Sequence, residues 1–74
     1  MNLRQSEKDY DKFEFTAVVI TVMNEMNISL KQAFIFCFKI AEKEKINTGL
    51  IKIQDIAYNQ FIYFLKKNKN YFNL

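Results

Sequence analysis

Residues 27–46 read N-I-S-L-K-Q-A-F-I-F-C-F-K-I-A-E-K-E-K-I, and the fold is decided by how this run is taken. It opens on Ser29-Leu30-Lys31-Gln32, the spacing of a capping box. In that arrangement a serine oxygen accepts from the backbone N–H three residues on, and the glutamine side chain accepts from the serine N–H. A helix over about residues 30–46 follows. At helical spacing Leu30, Ala33, Phe34, Cys37, Phe38, Ile40 and Ala41 share one broad apolar face, with Lys31, Gln32, Lys39, Glu42 and Lys43 opposite. Ile35 and Phe36 break this order, because they fall toward the polar side and flank Lys39.

Upstream, a helix is expected over about residues 6–26. Ser6, followed by Glu7 and Asp9, is a reasonable N-terminal signal, since a hydroxyl caps and acidic groups suit the positive end of the helix dipole. The middle of this segment, T-A-V-V-I-T-V, has the β-branched character of a strand. Periodicity favours a helix: Glu14, Thr21 and Glu25 form one narrow polar stripe and almost everything else is apolar. So thin a stripe predicts a central helix, with Phe13, Ala17, Val19, Ile20, Val22, Met23 and Met26 in the core. Asn27 tolerates the left-handed conformation that ends it.

Downstream, Gly49 is the single glycine and stands where a helix C-terminus favours positive φ. A third helix is expected over about residues 50–67, starting at the latest from Asp55. Its core face is Leu50, Ile53, Ala57, Phe61, Phe64 and Leu65, with Ile51, Ile56, Ile62 and Tyr63 off that face. The end, N-K-N-Y-F-N-L, is expected to fray. With one glycine and no proline, there is little turn chemistry for a many-stranded sheet. The fold class is therefore all-α, a small three-helix domain expected to self-associate.

Association is expected on grounds of size. A chain of 74 residues buries only about 60% of the surface its unfolded form exposes, and small domains are commonly reinforced by disulfides, a metal or oligomerisation. One cysteine and no histidine supply neither a bridge within the chain nor a zinc ligand set, so no metal or cofactor is expected. Eight Phe and four Tyr are a heavy load for three helices to cover. The polar first dozen residues lack the apolar core of a secretory signal. The longest apolar-rich run, residues 13–23, falls well short of the ~20 residues that cross a bilayer. The expectation is a cytoplasmic protein that does not engage membranes. Its abundance of Ile, Lys, Asn, Phe and Tyr suggests a low-GC bacterial or phage source.

Chemistry is poorly represented. No histidine is present to act as a base near neutral pH, and Cys37, set among apolar residues, is expected to pack rather than react. Glu14 and Glu25 lie three turns apart, too far for a dyad, and no glycine loop cradles phosphate. The protein is expected not to be an enzyme. The expected function is that of a small regulatory or adaptor protein that binds another protein, as a homodimer, with an interface built on Ile35, Phe36, Lys39, Ile62 and Tyr63. The alternative is a small DNA-binding regulator. The net charge of +3 is concentrated in the second half of the chain, and residues 40–51 can be laid on a helix-turn-helix pattern. Ala41 would sit where the helices cross, Ile46 in the turn and Ile51 on the recognition helix. Lys45 in place of the usual glycine and Gln54 in place of a buried aliphatic depart from that pattern. On this alternative Lys52, Asn59, Lys66, Lys67 and Lys69 contact phosphates or bases.

Overall fold

The computed structural model describes the backbone of residues 3–74 and the side chains of residues 10–74. Three helices follow one another: α1 (Leu3–Met26), α2 (Leu30–Lys43) and α3 (Gln54–Lys67). All three pairs of helices are in contact, so the domain is all-α and three-helical, as expected. No described helix is long and apolar enough to cross a membrane.

The start of α2 is built as the sequence predicts. The Gln32 N–H donates to Ser29 Oγ at 3.1 Å, and the Ser29 N–H donates to Gln32 Oε1 at 3.4 Å. These bonds use backbone donors that a helix start otherwise leaves without partners, and replacing such a cap by alanine costs about 1 kcal/mol. Asn27 ends α1 at φ 55°, with the Ile28 N–H donating back to the Met23 carbonyl at 3.2 Å. Only residues 27–29 therefore separate α1 from α2, which are in contact; so short a connection makes consecutive helices antiparallel neighbours in a hairpin.

The end of α2 differs from expectation. The helix stops at Lys43, not near residue 46. Lys45 takes the left-handed conformation, φ 57°; its N–H donates to the Glu42 carbonyl and the Ile46 N–H donates to the Ala41 carbonyl, at 3.3 and 2.8 Å. This is a Schellman stop with lysine in the position glycine usually holds. Gly49 does have positive φ, 75°, but it serves the connection and not the helix end. Residues 44–53 carry no helix. They are held by Asn47 Oδ1 accepting from the Gly49 N–H, Thr48 Oγ1 from the Leu50 N–H, and Gln60 Oε1 from the Ile51 N–H. The first two are local side-chain bonds of the kind that compete with a helical ladder, and α3 begins at Gln54 and not at Leu50.

The core is centred on α2. Ala33, Phe34, Cys37, Phe38 and Ala41 are buried from α2, Phe15, Thr16 and Val19 from α1, and Ala57, Phe61 and Leu65 from α3. Phe34 has no solvent exposure and lies with its ring centroid 4.9–5.9 Å from those of Phe15, Phe38, Tyr58 and Phe61. Helix α1 is therefore not the most enclosed element, and its rotation also differs from expectation. Phe15 and Thr16 point inward, whereas Ala17 and Met26 face solvent. On α2, Ile40 is exposed and not part of the core, and in the third segment Ile53 is likewise exposed. Helix α1 runs through Ser6, so the expected start there is not observed, and the side chains of Ser6, Glu7 and Asp9 lie outside the described residues.

The C-terminal segment folds back instead of fraying. Asn68 caps α3, its side-chain Nδ2 donating to the Phe64 carbonyl at 2.9 Å, and the Tyr71 N–H donates to the Asn68 carbonyl at 3.0 Å. These turns set Tyr71 and Phe72 against Phe13, with ring centroids 4.5 and 5.8 Å away. Phe13 also meets Phe64 edge-on at 4.9 Å. It belongs to this satellite cluster rather than to the main core.

Candidate protein-binding groove

A helix that buries a wide face against two neighbours leaves apolar residues at the margins of that face. On α2 those margins are Ile35 on one side and Phe36 with Ile40 on the other, because successive residues are ~100° apart. Ile35 is half-buried and packed against the core, so its off-face position is satisfied within the chain. Phe36 is not satisfied in this way.

Phe36 and Ile40 line a groove of about 510 Å³ between α1 and α2. Val18 and Val22 line it from α1 and Ile46 from the connection after α2, and the buried Phe15, Cys37 and Ala41 make its floor. Val18, Phe36, Ile40 and Ile46 remain 50, 45, 43 and 56% exposed. Their spacing explains the shape: Val18 and Val22 on α1, and Phe36 and Ile40 on α2, are each one turn apart, so two short apolar ridges run side by side. Ile46 reaches the groove because the Schellman stop turns the chain back over Ala41.

The polar groups at the groove are arranged by sign. Asp11 and Glu14 line its α1 edge. Lys39 and Lys43, three and seven residues after Phe36 and both exposed, fall on the outer flank of the α2 edge by helical spacing. Cys37 on the floor is buried, and desolvation raises its thiol pKa above the ordinary value. A neutral thiol is a poor nucleophile, so the cysteine acts here as a small apolar packing group.

The other expected interface residues lie elsewhere. Ile62 is half-buried against the core. Tyr63 is exposed and lines a separate hollow of about 390 Å³ with Lys12, Phe13, Phe64 and Lys67. Of the expected set, then, only Phe36 lines the groove, with Lys39 on its flank. Val18 and Ile46 were not expected at an interface, and Ile40, expected in the core, is exposed; Val22 packs against the core as expected and lines the groove as well. The signal that identifies them is the pairing of one-turn apolar steps on two consecutive helices of a hairpin.

The candidate nucleic-acid contacts are exposed but dispersed. Lys66 and Lys67 occupy the last turn of α3, Lys69 follows it, and Asn59 lies mid-helix. Lys52 precedes the other end of α3, whose 14 residues span about 20 Å. The expected helix-turn-helix geometry is also changed, because α2 and α3 are separated by residues 44–53 where that motif uses a turn of three or four residues. Ile51 lies in this connection, exposed, and not on a recognition helix. Comparison of the chain with protein-family models, with curated proteins and with solved structures gives no match.

Proposed function

We propose that this is a small non-enzymatic regulatory or adaptor protein that acts by protein–protein association, as a homodimer, with the α1–α2 groove as its binding face. The observation that supports it is the row Val18, Phe36, Ile40 and Ile46, four large apolar side chains that stay about half exposed around one concavity. Contiguous apolar surface with a polar margin is typical of protein interaction sites, and aromatic residues commonly anchor them. Covering the exposed half of each such side chain gains about 1 kcal/mol. A two-fold pairing gains it from both copies.

Sedimentation equilibrium up to high micromolar concentration tests the proposal. The wild-type protein should have the mass of a dimer. Phe36→Ser and Ile40→Ser should each shift it toward monomer while the helical circular dichroism is kept. A monomeric wild type, or a mass unmoved by either substitution, would count against the groove. Binding of labelled duplex DNA that weakens steeply as salt rises, and is lost in a Lys66→Glu/Lys67→Glu variant, would favour the DNA-binding alternative instead.

A further inference from the structure

We infer that the groove is filled by the same groove of a second copy, related by a two-fold axis parallel to the helices, so that α1 of each protomer lies over α2 of the other. This rests on the homodimer proposal above and adds to it the geometry of the pair.

Charge carries the inference. Among the described residues the α1 edge of the groove is acidic. Asp11 and Glu14 line it, and Glu25, eleven residues after Glu14 and exposed, continues the same stripe. Lys12, the one cation among the described side chains of α1, is turned away from this edge, with its ammonium 5.9 Å from the ring centroid of Phe64 on α3. The α2 edge is basic, carrying Lys39 and Lys43. Glu42 is ~120° round the helix from Phe36, and Glu44 stands at the C-cap, one residue past the helix, so the two lysines leave this flank with a net positive charge. One concave apolar face thus has an acidic margin on one helix and a basic margin on the other.

Such a face discriminates among occupants. A basic partner helix would be attracted to α1 and repelled by α2, and an acidic one the reverse. A second copy satisfies both margins, but only in one of the two isologous arrangements. A two-fold axis across the helices sets α1 on α1 and α2 on α2, carboxylate against carboxylate and ammonium against ammonium. An axis along the helices sets α1 on α2 twice over. It also keeps every residue at its own height. Glu14 and Ala41 line the same groove, so this axis sets Glu14 of one copy over the flank of the other that carries Lys39 and Lys43. The apolar ridges meet likewise, Phe36 and Ile40 of each copy on Val18 and Val22 of its mate, in a four-helix layer.

The test is a charge exchange at the two margins. Asp11→Lys/Glu14→Lys makes both edges basic, and Lys39→Glu/Lys43→Glu makes both acidic. Each variant alone should self-associate more than about tenfold less tightly than wild type at low salt, and the loss should shrink as salt rises. Mixed in equal amounts, the two should form a heterodimer, visible by native mass spectrometry. The fourfold variant carrying all four changes should again be a homodimer, which guards against loss through misfolding. If wild type dimerises but the two reversed variants stay dimeric separately, or neither mixing nor the fourfold variant restores association, the α1-over-α2 geometry is wrong and groove-mediated dimerisation still stands. If wild type is monomeric, the proposal beneath it fails as well.

Discussion

Phe34 and Phe36 are the same residue type two positions apart on one helix, and they have opposite surroundings. Phe34 has no exposure and is ringed by four other aromatic side chains. Phe36 is nearly half exposed at the mouth of a groove. Helical phase separates them: two residues turn the side chain by about 200°. Composition therefore does not distinguish a residue that holds the domain together from one that holds a partner. Position around the helix, relative to its neighbours, does.

The largest effect that would sharpen this contrast is on Phe34. Emptying a fully packed aromatic site costs about 3–5 kcal/mol, and a 74-residue domain has only about 4–11 kcal/mol in total. Phe34→Ala should therefore be largely unfolded or have a strongly lowered midpoint in urea. A variant with near-wild-type stability would mean that the core is not centred on α2. A smaller loss is expected from Ser29→Ala, about 1 kcal/mol, seen as a fall of roughly 4–8 °C in Tm for a domain of this size. It acts on both faces of α2 alike, so it should weaken the fold without moving the dimer constant beyond what fraying explains. An effect no larger than that is expected at Phe36. At concentrations low enough to keep the protein monomeric, Phe36→Ser should lower the unfolding free energy by no more than about 1 kcal/mol, the share of its burial that the monomer already supplies. A loss comparable to that of Phe34→Ala would erase the contrast and make Phe36 a core residue.

Much of α2 was legible in the sequence because its signals are local or strongly periodic. The Ser29–Gln32 box needs only residues within one turn, and the inward set Ala33, Phe34, Cys37, Phe38 and Ala41 stands against a charged opposite side. Helix α1 was less legible because it is apolar around most of its circumference. Its rotation is set by what packs on it, and the sequence pattern fits Ala17 inward about as well as Phe15 and Thr16. The end of α2 was missed because a lysine adopts the left-handed conformation, which residue type does not announce. The docking of Tyr71 and Phe72 on Phe13 joins positions nearly sixty residues apart, and no local pattern reports such a contact. The groove was half legible. Phe36 stood out as an apolar residue on a polar side, whereas Val18, Val22, Ile40 and Ile46 became its neighbours only once two helices were set side by side.

The short link between α1 and α2 bears on the order in which the molecule assembles. Residues 27–29 join two helices whose stops and starts are made by bonds spanning three to five residues, so closing this hairpin fixes little chain entropy. Bringing in α3 requires ordering residues 44–53 first. Local contacts of the first kind form fast, and α1–α2 is the expected folding nucleus. Ser29→Ala should then lose its stability mainly through slower refolding in stopped-flow denaturant jumps, with little change in the unfolding rate. The α1 and α2 walls of the groove, being parts of the hairpin, would exist before the third helix closes the opposite side.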